Sequence, residues 1–323
     1  MRAIQLSETG GPEVLTLVAM PTPTPGAGQA LVRHTAIGVN YIDTYHRKGM
    51  YPIPLPFVPG CEAAGVVEAL GEGVTEVAVG QRVAYYNTQP GAYAEYAAVP
   101  ADKLIILPDH ISDQQAAAVL LQGMTAHYLA FTVYPIRPGD TVLVHAGAGG
   151  VGLLLTQLAR RRGARVITTV STPDKAELSC ANGADEVIIY SQTDFAEAVK
   201  TLTGGQGVHA VYDGVGKDTF EGSLNCLRLL GMMASYGSAS GQVPPVALTE
   251  LMRRGSLVLT RPSLGHFIAT RSALLERARA IFNWVATGEL NVLIQPTYAL
   301  ADAAQAHRDL EGRGTTGKLI LVP

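Results

Sequence analysis

Six residues, Gly147-Ala148-Gly149-Gly150-Val151-Gly152, constrain this chain most, because they fit G-x-G-x-x-G between a strand and a helix. Before them Thr141–His145 is a β-branched apolar run, and after them Val151–Arg162 reads as a helix stopped by Gly163. In that setting the first glycine makes a tight turn, the second lets backbone approach a pyrophosphate, and the third allows close helix–strand packing. The helix N-terminus adds free N–H groups and a partial positive charge. A glycine-rich turn without a ligand is the plain alternative, and the flanking strand and helix weigh against it. The spacing predicts a dinucleotide site.

The same strand, turn, helix rhythm continues from Gly139. Arg165–Val170, Glu186–Ile189, Ala210–Tyr212, Gly231–Tyr236 and Leu257–Thr260 read as strands, with helices at Phe195–Leu202 and Thr219–Leu229. Thr172-Pro173 supplies an N-cap and a first-turn proline for another helix, ended by Gly183. Buried strands alternating with helices predict a doubly wound parallel sheet of the α/β class. Residues 1–123 differ: short strands such as Ala30–Ala36, Ala63–Leu70 and Arg82–Tyr86 are punctuated by Gly and Pro. Tyr51-Pro52-Ile53-Pro54-Leu55-Pro56 is extended loop, since alternating prolines forbid a helix. The expected division is 1–123 as the first part of a β-rich domain, 124–264 as the nucleotide-binding domain, and 265–323 as a return to the first. The tail opens with a helix, Ser272–Thr287, and closes with a strand-like run, Lys318–Val322.

Composition narrows the function classes. With 323 residues, 47% hydrophobic and 16% charged, the chain is globular and long enough for two domains. Net charge is −3, with no basic block beyond Arg160-Arg161-Arg162 and Arg253-Arg254, which disfavours nucleic acid as a partner. Cys61, Cys180 and Cys226 are scattered and odd in number. They point to a reducing cytosol and exclude a disulfide framework or a four-cysteine metal lobe. No signal peptide and no membrane span are expected.

The end of the second strand bears on the cofactor. An NAD site places Asp or Glu about 20 residues past the glycines, at the ribose 2′-OH. Here the chain runs Val170-Ser171-Thr172-Pro173-Asp174-Lys175. Ser171 can donate a hydrogen bond to a 2′-phosphate and Lys175 a charge, whereas Asp174 on the first helical turn serves the helix dipole. The pattern favours NADPH over NADH.

Beyond these patterns the chain resembles the zinc-free medium-chain dehydrogenase/reductases, and within them the zeta-crystallin-like bacterial NADPH:quinone oxidoreductases. The resemblance rests on Gly139-Asp140, Leu143, Gly147-Ala148-Gly149-Gly150, Gly152, Gln157 and Arg160 at the family's spacing. Gly10-Gly11-Pro12-Glu13-Val14-Leu15, Ile37-Gly38-Val39-Asn40-Tyr41-Ile42-Asp43, Pro59-Gly60-Cys61-Glu62-Ala63-Ala64-Gly65 and Thr260-Arg261-Pro262-Ser263-Leu264 extend it along the chain. It implies a GroES-like β-rich domain and a Rossmann domain with the active site in the cleft between them, and a homodimer.

The resemblance also implies what surrounds the chemistry. Zinc-dependent relatives carry Cys, His and Cys where this chain has Asn40, Cys61 and Leu121, so no metal is expected. A quinone accepts electrons readily and needs hydrogen-bond donors, not a Lewis acid. Asn40, Tyr45 and Tyr51 would be the catalytic residues, Tyr51 presenting its hydroxyl to the substrate carbonyl. Cofactor contacts would come from Thr125, Gly147, Gly149, Gly150, Val151, Gly152, Ser171, Lys175, Tyr190, Gly237, Ser238, Pro262, Ser263, Leu264 and Arg313. Lys318 is a weaker rival to Arg313 for the phosphate. Cys61 is either a residual ligand or reactive thiol, or a small residue packed in a turn. Glu62 supports the fold near the cleft, His46 is taken as a surface residue, and His145 as core or dimer-facing. The expected function is NADPH-dependent quinone reduction in the cytoplasm. The alternatives are reduction of enone or enal double bonds, and a non-enzymatic NADPH- or RNA-binding crystallin-like protein.

Overall fold

A computed structural model describes residues 1–295 and 297–323. The chain divides into two compact units, one of Met1–Met124 with Ile268–Pro323, the other of Thr125–Phe267.

The first unit begins with a two-stranded antiparallel pair, β1 (Arg2–Gln5) and β2 (Thr16–Ala19). Its main sheet is built around β3 (Gln29–Val39), whose first residues alternate between half-buried and buried and whose last four are all buried. A short helix, α1 (Tyr41–Arg47), follows at once, and the Asn40 N–H closes its first turn by donating to Asp43 Oδ2 at 2.8 Å. β4 (Glu62–Leu70), β5 (Arg82–Tyr86), β6 (Tyr96–Pro100) and β7 (Ile105–Ile106) complete this part of the sheet, with β3 pairing antiparallel to β4 and β6. The core gathers Ile4, Leu6, Val32, Ile37, Val39, Tyr85 and Tyr93. Burying each aliphatic side chain fully is worth about 1.5–3 kcal/mol.

α2 (Asp113–Tyr128) runs on through a wider turn, Leu129–Val133. Asp113–Val133 is long and apolar enough to span a membrane by length and composition alone, but 67% of its apolar window is buried inside the protein. Ala116–Leu120 are fully buried, as suits a core helix.

The second unit holds β8 (Thr141–Val144), α3 (Gly150–Arg161), β9 (Arg165–Val170), α4 (Pro173–Ala181), β10 (Glu186–Ile189), α5 (Phe195–Leu202), β11 (Val208–Asp213), α6 (Phe220–Asn225), β12 (Leu227–Ser235), α7 (Leu248–Arg253), β13 (Val258–Thr260) and α8 (Leu264–Phe267). The six strands are parallel in the order β10-β9-β8-β11-β12-β13. The chain starts in the middle at β8, builds outward to β10, then returns to β11, so the switch point lies between β8 and β11. β8, β9 and β11 are almost continuously buried, as strands covered on both faces must be.

One expectation is corrected here and one alternative is decided. The helix expected over Thr219–Leu229 stops at Asn225, because Leu227 is buried and pairs with Val208. His145 lies just past the end of β8, fully buried between Thr169 Oγ1 and Ser223 Oγ at 2.8 and 3.0 Å, which makes it the core residue of the two alternatives.

The tail returns to the first unit through α9 (Arg271–Ala286), β14 (Tyr298–Ala299), α10 (Ala303–Glu311) and β15 (Leu319–Val322). β15 lies antiparallel to β3, with Leu319 opposite Val39 and Ile320 opposite Gly38. That register brings Lys318 to Asn40.

Candidate functional site

In the first unit the polar residues cluster where β3 runs into α1. Lys318 Nζ donates to Asn40 Oδ1 at 2.7 Å and to Glu62 Oε2 at 2.6 Å. Asn40 Nδ2 donates to Glu62 Oε2 at 2.9 Å and to the Gly38 carbonyl at 3.2 Å. Glu62 Oε1 accepts the Leu121 N–H at 2.6 Å. All three side chains are buried. Gly38 makes room for them: a Cβ there would stand 2.4 Å from Glu62 Oε2 and 2.9 Å from Lys318 Cε. Lys318 is therefore held in a buried ion pair, against its expected role at a cofactor phosphate. The Asn40 amide, with both its nitrogen and its oxygen engaged, is fixed in one orientation.

Behind Asn40 a second buried chain links α1 to α10. Arg47 Nη1 donates to His307 Nδ1 at 2.8 Å, which leaves the proton of His307 on Nε2, facing the Tyr93 hydroxyl at 3.0 Å. Tyr93 in turn donates to Asp43 Oδ2 at 3.0 Å. Burial pushes the Asp43 carboxyl up to about 7 and His307 down to about 3. Cys61 is fully buried, and burial with the neighbouring Asp43 and Glu62 carboxylates pushes its thiol well up, so it is not a reactive thiolate. His46 is 6% exposed, not a surface residue, and burial lowers it to about 4. α1 is buried along Asp43–Arg47, a depth that its mostly polar sequence conceals.

Tyr45 and Tyr51 lie on the same segment. Tyr45 is buried and meets Tyr51 edge-on at 5.5 Å between ring centroids, while Tyr51 is 37% exposed and also lies edge-on to His46 at 6.2 Å. Met50 N–H bonds to the Tyr45 carbonyl at 2.9 Å, folding the turn that carries Tyr51 back onto the helix.

In the second unit the glycine turn joins β8 to α3. Ala146, not a glycine, takes the left-handed conformation, with φ 53°. Gly147 is required by close packing: its Cβ would lie 2.6 Å from Thr168 Cβ and 2.9 Å from Ser179 Oγ. A Cβ on Gly152 would lie 2.2 Å from the Ala146 carbonyl oxygen. α3 starts on Gly149 with no side-chain cap, so the N–H groups of Gly150, Val151 and Gly152 are left for an anion. This cradle fits a dinucleotide pyrophosphate.

Ser171 and Tyr190 follow directly on β9 and β10, the two strands on that side of β8. Ser191 Oγ donates to the Ser171 carbonyl at 2.9 Å, and Tyr190 N–H to Val170 O at 3.1 Å, tying the ends of β9 and β10. Lys175 stands on the first turn of α4, half-buried, with its ammonium lowered by desolvation. Gly237 and Ser238 follow β12, and Pro262, Ser263 and Leu264 follow β13; Arg261 braces the two loops through Ser235 O at 2.7 Å and Ser238 Oγ at 3.3 Å. Thr125 is buried in the last turn of α2. Arg313 belongs to the first unit, exposed on the turn after α10 with φ 59°.

Sequence reasoning missed Asp213, at the carboxyl end of β11. Its Oδ1 accepts the N–H groups of Val215 and Gly216 at 2.7 and 2.9 Å, and its Oδ2 the hydroxyls of Thr219 and Ser223 at 2.7 and 3.0 Å. An acid closing an apolar run, Val208–Asp213, was the available signal. For Lys318 the signal was a lysine opening Leu319-Ile320-Leu321.

Comparison with known proteins agrees with this architecture. The family model described as alcohol dehydrogenase GroES-like domain matches residues 26–109, and that described as zinc-binding dehydrogenase matches residues 150–279. A quinone oxidoreductase of Pseudomonas aeruginosa is 46% identical over 100% of this chain and 99% of its own. A 2-haloacrylate reductase of a Burkholderia species is 45% identical over 99% of this chain and 98% of its own. The crystal structure of Escherichia coli quinone oxidoreductase in complex with NADPH superposes with a TM-score of 0.97 or above, at 0.98, with 44% identity over 100% of both chains.

Proposed function

The chain belongs to the quinone oxidoreductases of the medium-chain dehydrogenase/reductase family, and from that premise we propose that it uses NADPH to reduce a quinone without a catalytic metal. The observation that carries the reading is the buried Lys318–Glu62–Asn40 network, which draws in two of the positions where zinc-dependent relatives hold their metal. Asn40 is one, and Leu121, through its N–H to Glu62, is another. An ammonium bonded to an amide and a carboxylate leaves no ligand set there for zinc.

The cofactor belongs at the Gly147–Gly152 cradle, with Ser171, Lys175 and Tyr190 at the adenosine 2′-phosphate. Bound NADPH supplies hydride from nicotinamide C4. The first unit contributes Tyr51, whose exposed phenol donates a hydrogen bond to the substrate oxygen as negative charge develops on it, and Tyr45, whose ring braces Tyr51. Asn40 holds the start of α1, and so the segment bearing both tyrosines.

A homodimer is supported by the outer edge of the Rossmann sheet. Leu229, Leu230, Leu248, Met252 and Val258 are exposed on β12, α7 and the edge strand β13, with Leu248 at 82%. An unpaired edge strand flanked by apolar side chains is suited to pairing with its own copy. A cytoplasmic location accords with Cys61, Cys180 and Cys226, all free thiols.

The 2-haloacrylate reductase relative favours a second reading, reduction of an activated carbon–carbon double bond. Steady-state turnover with 1,4-benzoquinone and naphthoquinone, set against 2-alkenals and 2-haloacrylates, separates the two. Quinones should be preferred; alkenes favoured by orders of magnitude would replace the first reading with the second.

A further inference from the structure

Asp43, His46 and Cys61 form a group that the reduction chemistry does not use. One carboxylate oxygen, one imidazole nitrogen and the thiol sulfur all lie within 4.8 Å of one another, and all three residues are buried. α1 places Asp43 and His46 one turn apart on one face, and Cys61 arrives from the segment leading into β4. Two polar atoms in the group are buried without a hydrogen-bond partner: Asp43 Oδ1 and His46 Nδ1. Leaving such atoms unsatisfied is costly, so two of them on the residues of one buried cluster ask for a ligand.

We propose that Asp43, His46 and Cys61 are a binding site for a zinc-class divalent cation, beside the segment that carries Tyr45 and Tyr51 but sharing none of the residues assigned to the reduction. A tetrahedral ion with bonds of about 2.0–2.3 Å holds its ligand atoms roughly 3.3–3.8 Å apart, a spread that fits inside the 4.8 Å within which the three ligand atoms lie. Asp43 Oδ2 is held by the Asn40 N–H at 2.8 Å and the Tyr93 hydroxyl at 3.0 Å, so an outer set of hydrogen bonds fixes the carboxylate and leaves Oδ1 for a ligand. A thiolate, a carboxylate and a neutral imidazole together cancel the charge of a dication. On binding, the Cys61 S–H bond breaks and its proton leaves to solvent as the sulfur–metal bond forms. The S, N, O donor set selects zinc, or cobalt(II) in its place, over magnesium or calcium, which prefer oxygen alone. Three protein ligands leave a fourth position for water. His46 alone of the three keeps any exposure, 6% against 0% for the others, and is the side from which an ion enters. The site shares only Cys61 with the three positions used by zinc-dependent relatives.

The full chain, stripped by chelator, is titrated with cobalt(II) while the thiolate-to-cobalt charge-transfer band is followed, and with zinc while native mass spectrometry counts ions. One ion per chain is expected, with a charge-transfer band that Cys61→Ser abolishes and Cys180→Ser leaves intact. His46→Gln should weaken zinc at least about tenfold. Failure of the wild-type chain to retain an ion overturns the proposal. So does a band that survives Cys61→Ser and vanishes with Cys180→Ser, whose thiol is exposed. Should Cys61→Ser not fold, by circular dichroism, His46→Gln decides, and an unchanged zinc affinity refutes the site. These readouts are independent of quinone turnover, so they stand or fall apart from the proposed reaction.

Discussion

Lys318 Nζ lies 2.6 Å from Glu62 Oε2, with both side chains almost fully withdrawn from water. Such a pair gains strength from low dielectric but costs the hydration of two ions, so its net value is small while the cost of breaking it is large. Removing one partner leaves the other charge buried alone. Lys318→Met should therefore lower stability by about 3–5 kcal/mol, whereas Glu62→Gln with Lys318→Met together should recover most of the loss. Chemical denaturation of the wild type, both single variants and the double variant measures the cycle. A double variant no more stable than the worse single one would show that packing, not charge pairing, is what Lys318 supplies.

Lys175 is placed to distinguish the two nicotinamide cofactors. A charge-assisted bond to the 2′-phosphate is worth about 1.5–3 kcal/mol, which is roughly a 10- to 150-fold effect on affinity. Lys175→Ala should weaken NADPH by that factor and leave NADH nearly unchanged. Quenching of protein fluorescence or isothermal calorimetry with each cofactor reads this directly. Equal losses for both would move the recognition to Ser171 and Tyr190.

Tyr51 and Tyr45 share an aromatic contact but differ in exposure, and the predicted roles differ accordingly. Tyr51→Phe removes only a hydroxyl, so turnover should fall at least about tenfold with NADPH affinity unchanged. Tyr45→Phe keeps the ring contact and should leave turnover within about twofold. Single-turnover oxidation of NADPH with a saturating quinone gives both numbers.

The legible parts of this molecule are those whose cause is local. Arg165–Val170, Glu186–Ile189 and Phe195–Leu202 have the same bounds in the structure as in the sequence pattern, because buried β-branched runs and an amphipathic helix announce themselves within a few residues. The glycine turn was legible too, although Ala146 rather than a glycine carries its positive φ, since that depends on how Gly147 and Gly152 pack. The Lys318–Asn40 contact spans 278 residues of sequence and exists only through the β15–β3 register. Its lysine reads locally as a solvated cation. His46 reads as a surface histidine for the same reason, its burial being set by the elements packed on α1. Asn40 was picked out for its position in the family pattern, yet what its amide touches is decided by Lys318 and Glu62, far along the chain.

The buried histidines give stability a pH dependence that one variant can isolate. His34 Nδ1 lies 2.7 Å from the Ala94 carbonyl and its Nε2 lies 2.9 Å from the Tyr85 hydroxyl, so the neutral ring donates at one end and accepts at the other. Burial lowers its pKa from 6.5 to about 4. Below pH 6.5 the unfolded chain takes up a proton that the folded chain refuses until about pH 4. The stability His34 allows is thus complete above 6.5 and is lost as pH falls across that window. At pH 5 the loss is about 2 kcal/mol. Asp43 runs the other way: raised to about 7 from 3.8, it binds its proton in the folded state first and gains stability as pH falls through the same range. The wild-type curve mixes these with His46 and His307, which burial lowers to about 4 and about 3 in the same direction as His34. His34→Gln retains an acceptor for Tyr85 and cannot titrate, so between pH 7.5 and 5 it should lose about 2 kcal/mol less than the wild type. Urea denaturation of both proteins at the two pH values checks this, and parallel losses would place the proton uptake on other groups.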